Sequence, residues 1–407
     1  MTRIFSVLLF LAVISGVYLA CTDIKSEPKV IESEPEEWVM DDSLSIFLDS
    51  FEQSFQEGIA INRIPGGAVV IIKDGRVVFQ KGFGVKEKGE TEKVDENTIF
   101  RLGSVSKGFA SVLAGVLVDD RQLNWDKPVS DYLESFKLND PDQTDRVSVK
   151  HILSHTSGLP RHAYTNLVED GLSLDRIIPR LQTVPLISKE GEQLAYQNAA
   201  YSVIEKVLEA QTDTDFDSLL QEKLFDPLEM TNSSSSFDSI NISDNKAMPH
   251  LYHSRARGRV PVTITKKYYN AISSGGINAS AADMGKWLLL LTGNNAEIIS
   301  EESLDQIYEP LASINNKRFS RYWDGVNKSH YGMGWRILNN DGQKIVYHGG
   351  YVNGYRSEIA FAPDDNLGIC ILINASSSYP LEVIPDLFNY FRSDSSITFS
   401  ERIESKR

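Results

Sequence analysis

The 407-residue chain carries 56 acidic against 41 basic side chains, a formal charge of −15, and 41% of its residues are hydrophobic. That content supports an ample core of one large or two modest domains, and the acidic balance, with no basic cluster to offset it, argues against a nucleic-acid partner. Cys21 and Cys370 are the only cysteines, which excludes a disulfide framework.

The chain opens with a targeting segment. Arg3 precedes an apolar run over residues 4–20 that is short for a spanning helix and stops at Leu19-Ala20-Cys21. Residues 1–20 read as a signal peptide, and the junction resembles a bacterial lipoprotein signal, in which Cys21 is lipidated and becomes the mature N-terminus. Ordinary cleavage after Ser15, or an uncleaved anchor, are the alternatives. Residues 21–41 are acidic and proline-bearing, a tether rather than a fold element. The expected placement is an exported bacterial lipoprotein, held at a membrane by lipid and facing the periplasm. Thr22, in place of an aspartate, favours the outer membrane.

The folded part is expected over residues 42–395. Leu44, Phe47, Leu48, Phe51 and Phe55 recur at helical spacing behind Asp42 as a cap. A hairpin follows: strand 67–72, the turn Lys73-Asp74-Gly75, and strand 76–79. A β-type run at 98–100 then turns at Gly103 into a helix through Phe109, Val112, Leu113, Val116 and Leu117. Residues 122–251 read as a helical, loop-rich subdomain, with an amphipathic helix over 198–210, another over 216–224, and a serine-rich loop over 232–244.

Strand-like runs return at 334–338, 343–348, 358–362 and 367–373, separated in part by the turns 339–342 and 363–366, which suits an antiparallel meander. Cys370 sits in the last of these runs, a buried strand. A helix over 381–391 and a polar tail over 396–407 close the chain. The economical architecture is an α+β fold: one antiparallel β-sheet flanked by N- and C-terminal helices, with a helical subdomain inserted.

Three stretches carry chemistry. In the first, Ser104 sits where a helix starts and Lys107 is its neighbour three residues on. Free backbone N–H groups and the positive dipole end favour an oxyanion there, and the same field with apolar surroundings disfavours an ammonium, so Lys107 suits a base. The spacing also occurs at Ser26 and Lys29 and at Ser243 and Lys246, in polar stretches. On this window alone, Ser104 fits a nucleophile or an N-cap. In the second stretch, Tyr196 and Asn198 lie two apart before a helix, offering a phenol and an amide on one side. A phenol near a lysine can share proton transfer with Ser104, although a core aromatic and an N-cap are the ordinary roles of such residues. In the third, His348-Gly349-Gly350-Tyr351 closes a strand. The glycines admit a substrate backbone, and the Tyr351 N–H can complete an oxyanion hole with that of Ser104.

These stretches occur in one order with others: GSVSK at 103–107, SHTSGLP at 154–160, YQN at 196–198, YGMGW at 331–335 and HGG at 348–350. Together they resemble the serine β-lactamase and penicillin-binding-protein superfamily, in its class C-like branch, over residues 67–391. The resemblance implies that Ser104 is the acylated nucleophile, Lys107 the base or proton shuttle, Tyr196 the tyrosine of the Tyr-x-Asn motif and Asn198 the ligand of the substrate amide. It implies a small-molecule or peptide substrate (a β-lactam, a D-amino-acid peptide or a small ester) and no metal or other cofactor. His348, Gly349 and Gly350 stand where a β-lactamase of this branch has Lys-Thr-Gly. A histidine is not reliably charged at neutral pH, so this departure weakens a carboxylate clamp and favours peptidases or esterases. If His348 binds a carboxylate, activity on anionic substrates falls as pH rises through its pKa. A non-turnover penicillin-binding sensor with the same fold is the alternative.

Other chemistries fare worse. His151 and His155 are four apart, but Ile152 stands where a zinc-protease motif needs glutamate. No G-x-S-x-G elbow is present. Ser243-Asp244-Asn245 mimics a class A signature in a role already filled by Tyr196 and Asn198. Arg255, Arg257 and Arg259 form a solvated basic loop able to meet an anionic substrate.

Overall fold

Eight antiparallel strands form one sheet in the order β2-β1-β12-β11-β10-β9-β8-β7. They are β1 Gly66–Lys73, β2 Arg76–Gly84, β7 Ala312–Ser313, β8 Val326–Tyr331, β9 Arg336–Asn340, β10 Gln343–Val352, β11 Tyr355–Ala362 and β12 Leu367–Ile373. Two small ladders accompany it, β3 Phe100–Arg101 with β6 Asn278–Ala279, and β4 His250–Ser254 with β5 Gly258–Pro261. The structure is a computed structural model and describes residues 40–315, 319–323 and 325–392. The signal segment, Cys21, most of the tether and the polar tail lie outside the described residues. The chain divides into two units, Met1–Ser45 and Ile46–Arg407. In the first, the Asp41 carboxylate accepts from Ser43 N at 2.9 Å at the start of the Asp42–Ile61 helix, so Asp41, rather than Asp42, caps it.

The second unit is built on a pairing between the ends of the sequence. β1 runs antiparallel to β12, with Gly67 opposite Ile373 and Lys73 opposite Leu367. Every residue of β12 is buried, as is β1 up to its last residue. Strands covered on both faces read as continuous apolar runs, and both do. One face packs on aromatic side chains of the two terminal helices, Asp42–Ile61 and Pro380–Arg392: Phe51 lies edge-on to Phe79, Phe55 sits 4.9 Å from Phe83, and Phe47 stacks on Tyr390 at 4.0 Å. On the other face the Ala281–Leu291 helix crosses β1 and β12, and its Trp287 stacks on Phe109 of the Ser106–Asp119 helix at 3.8 Å. The sheet and both helices share one core with the helical stretch between β3 and β4.

Several elements differ from the sequence expectation. The 198–210 helix breaks at Ser202 into Asn198–Tyr201 and Val203–Thr212. A short helix, Phe237–Ile242, capped by Ser236, lies within the expected serine-rich loop. β10 runs on to Val352 and turns through Asn353 and Gly354, at φ 49° and 92°, into β11. That Asn-Gly pair, with both residues at positive φ, is the ordinary two-residue hairpin turn. Among the described residues no helix is long and apolar enough to cross a membrane.

Candidate active site

Ser104 lies in a tight turn, Gly103–Val105, that leads into the Ser106–Asp119 helix, one turn earlier than the α-helix itself. Two contacts fix that turn against β10. Gly103 has φ +52°, and a Cβ there would stand 2.8 Å from Tyr351 N, so the backbone of the serine turn rests directly on the backbone of β10. Gly350 presents an equally bare surface, where a Cβ would come within 1.9 Å of the Leu102 carbonyl oxygen, which accepts from Ser357 Oγ. The two glycines thus bring the Ser104 and Tyr351 backbones side by side, as an oxyanion hole requires. Gly350 admits the protein's own turn against β10 and also lines the cleft.

Lys107 is fully buried, and its Nζ donates to Asn198 Oδ1 at 2.8 Å and to the Ser274 carbonyl at 3.0 Å. The same nitrogen lies 4.8 Å from the centre of the Tyr196 ring. Burial lowers the pKa of Lys107 from the ordinary lysine value; the negative form of Tyr196 opposes this and Arg336 adds to it. Tyr196 shifts down as well. Burial pushes its phenol up, but the charges of Lys107 and Arg336 and hydrogen bonds from Lys107 and Ser104 outweigh it. Lys107 and Tyr196 are therefore electrostatically coupled beside Ser104, each lowering the cost of moving a proton to or from the other. Asn198 is held at both ends, its Oδ1 by Lys107 and its Nδ2 by the Tyr268 hydroxyl at 3.0 Å, leaving one N–H.

His348 departs from its expected role. Its side chain is fully buried; Nε2 faces the Tyr331 hydroxyl at 3.1 Å and Nδ1 faces the Gly349 carbonyl at 3.0 Å. Because a carbonyl can only accept, Nδ1 carries the hydrogen and Nε2 accepts from Tyr331. Burial, with Arg336, Lys107 and His155 nearby, holds the imidazole well below the ordinary histidine value. It is neutral, both of its nitrogens are engaged, and it does not line the cleft, so it cannot clamp a carboxylate.

Arg336, at the start of β9, is one of three cations that line the cleft and the one set among the aromatic rings beside Tyr196. A cavity of about 500 Å³ opens over Ser104, lined also by Tyr196, Arg336, Gly349, Gly350 and Tyr351. Among the described lining residues no side chain is acidic, while Arg161, Arg336 and Arg356 are basic. Arg356 is paired with the buried Glu358, which also accepts from the Tyr347 hydroxyl at 2.5 Å. Arg336 has no hydrogen bond or ion pair among the described residues and sits among aromatic rings, 6.0 Å from the centre of Tyr196 and 5.8 Å from those of Tyr331 and Tyr347. Nothing in its spacing behind YGMGW shows which face of the sheet it takes. His155 was also missed as a site residue: at φ +59° it is buried 4.3 Å from the Tyr196 ring.

The remaining candidates lie elsewhere. His151 Nδ1 accepts from Ser148 N at the head of its own helix. Asn245 bonds Thr98 and Asp95, away from the cleft. Arg259 donates to the carbonyls of Asn62, Arg63 and Ser376, which pins the β4–β5 hairpin to its surroundings and leaves the basic loop outside the cleft.

Known proteins share this arrangement of chain. Protein flp of Staphylococcus aureus (strain MRSA252) is 24% identical over 83% of this chain, and unguisins hydrolase ungD' of Aspergillus campestris is 27% identical over 81%. The chain spans 64% and 62% of those two relatives' lengths, less than two thirds of each. The octameric penicillin-binding protein homologue from Pyrococcus abyssi superposes with a TM-score of 0.72 at 25% identity, over 84% of this chain and 77% of that one. Residues 51–386, nearly the whole described fold, match the Beta-lactamase family. The chain belongs to the Beta-lactamase family.

Proposed function

We propose that this chain is a serine hydrolase that cleaves an amide or ester through an acyl-enzyme on Ser104, and that its preferred substrates carry a carboxylate. The observation that carries the reading is that Ser104 and Tyr196 line one cleft, with Lys107 buried 4.8 Å from the centre of the Tyr196 ring. Ser104 Oγ attacks the carbonyl carbon while its proton passes to the Tyr196–Lys107 pair. The backbone N–H groups of Ser104 and Tyr351 receive the developing oxyanion. The pair then returns the proton to the leaving amine or alcohol, and a water repeats the sequence to release the acid. The name of the unguisins hydrolase and the penicillin-binding relative support this class of chemistry.

The carboxylate preference rests on Arg336. An unpaired guanidinium in a cleft without acid side chains among its described residues favours an anionic ligand, and a planar carboxylate accepts two of its N–H groups. That selects a D-amino-acid-ended peptide or a β-lactam over a neutral ester. Assays with nitrocefin, D-Ala-D-Ala peptides and short p-nitrophenyl esters, with mass spectrometry of Ser104, test the proposal. The expected result is a transient acyl adduct on Ser104 and turnover that Ser104→Ala abolishes. Turnover unchanged in that variant would overturn the mechanism. A permanent adduct without product would make the chain a penicillin-binding sensor instead.

A further inference from the structure

The Ser274 carbonyl that holds Lys107 belongs to a four-residue helix, Ile272–Gly275, and that helix is anchored from below. Glu205, on the Val203–Thr212 helix, accepts from Ser273 N at 2.8 Å and from Ser273 Oγ at 2.6 Å, both on Oε1. Ser273 Oγ also reaches Ser202 Oγ at 3.2 Å, Ser202 Oγ meets Ser274 Oγ at 2.8 Å, and Ser274 Oγ donates to the Asn198 carbonyl at 2.8 Å. Glu205 thus fixes Ser273, the neighbour in the chain of Ser274, whose carbonyl grips Lys107 Nζ and whose hydroxyl holds the Asn198 carbonyl; the single hydrogen of Ser202 is shared between the two serines.

We propose that Glu205 is a positioning residue for Lys107, acting through Ser273 and Ser274. This rests on the reading of Lys107 as part of the Ser104 machinery. Glu205 is only 4% exposed and makes no ion pair among the described residues. A buried carboxyl without a cation is costly and is not needed merely to close a helix contact that an apolar pair would make. Its cost is offset only by the hydrogen bonds that it collects at Ser273.

The charged state of Glu205 follows from its surroundings. On its own helix, Lys206 is already engaged by Asp175 and Glu209, and Glu209 adds like charge. The elements packed against this helix bring Lys107, Asp119, Tyr201, Lys150, His151 and Asp217, and none of them pairs with Glu205. Burial, opposed by the bonds from Ser273, raises the carboxyl to about 7. Ionised Glu205 binds Ser273 by charge-assisted hydrogen bonds, and protonation weakens that grip. Acylation of Ser104 therefore acquires an acid limb near pH 7.

The test is the rate of covalent labelling of Ser104 by a fluorophosphonate, followed against pH in the full chain. Glu205→Gln keeps an acceptor for Ser273 but cannot titrate. The expected result is labelling in Glu205→Gln that loses the acid limb and stays near the parent's low-pH rate throughout, with Glu205→Ala slower still, on the order of tenfold to a hundredfold below the parent above the limb. His162→Asn removes the exposed imidazole of the cleft and should leave the limb in place. A limb that persists in Glu205→Gln, or disappears in His162→Asn instead, overturns the proposal. If Glu205→Ala does not fold, the Glu205→Gln profile decides alone. Failure of the parent protein to label at Ser104 would count against the hydrolase reading, whereas labelling with an unaltered Glu205→Gln profile would count against Glu205 alone.

Discussion

The Tyr331 hydroxyl donates to His348 Nε2 across 3.1 Å in a site closed to solvent. This bond ties the YGMGW and HGG motifs together from beneath and turns the imidazole away from the substrate. Replacing His348 by lysine would place an ammonium between two groups arranged for a neutral ring. His348→Lys is expected to lose at least about 3 kcal/mol of stability, the scale of an uncompensated buried charge, with no gain in binding of carboxylate substrates. Urea unfolding and KM values check this; a stable His348→Lys protein with improved KM would refute it.

Arg336 takes the role left open. Loss of a charge-assisted bond to a carboxylate costs about 1.5–3 kcal/mol, so Arg336→Gln should raise KM for carboxylate substrates by about tenfold to a hundredfold. Neutral esters should change by less than about threefold, because no charge is lost toward them. Equal effects on both classes would show that Arg336 supports the aromatic wall and does not read charge.

Lys107 and Tyr196 act on one proton and should not behave independently. Lys107→Met and Tyr196→Phe are each expected to lower kcat by at least about a hundredfold, the scale of general acid–base catalysis. The double variant should be little worse than the poorer single one, as for residues that work as a unit. Additive losses would assign them separate steps.

Gly350 tests the backbone geometry. Gly350→Ala forces the Leu102 carbonyl away from β10, since the new carbon would otherwise stand 1.9 Å from it. That displacement moves the Ser104 turn relative to Tyr351 N. A fall in kcat of about a hundredfold is expected, with KM less affected. Unchanged kcat would detach the Leu102 contact from the oxyanion hole.

Glu205 also predicts a pH dependence of stability. Its folded pKa is raised, from the ordinary 4.5 to about 7, so the native state holds a proton that the unfolded chain has released. The contribution is fully present below about pH 4.5 and is lost as pH rises through 7. Over that window the parent should lose about 3 kcal/mol relative to Glu205→Gln. Unfolding curves of both proteins from pH 4 to pH 8, within about that range, measure the difference. Parallel curves would show that Glu205 does not titrate there.

The antiparallel sheet, the terminal helices and the motif order were legible because each rests on local pattern. The apolar runs of β1 and β12, the spacing of Phe47, Phe51 and Phe55, and the Ser104–Lys107 register need only near neighbours to be read. The Asn353-Gly354 turn is equally local in character, yet the sequence pattern ends that strand at 348, and the structure carries β10 past the glycines to Val352. What the sequence could not decide is the side on which a residue falls once strands pair. His348 and Arg336 sit on adjoining strands, β10 and β9. The register that places Tyr347 opposite Arg336 leaves the imidazole buried and the guanidinium lining the cleft. Glu205 was invisible for a related reason. In sequence it is one acidic residue in an amphipathic helix, and only the fold brings a segment 68 residues away against it. Period and turn chemistry are short-range and written in the chain, whereas burial, pKa and the pairing of charges depend on neighbours that tertiary packing alone supplies.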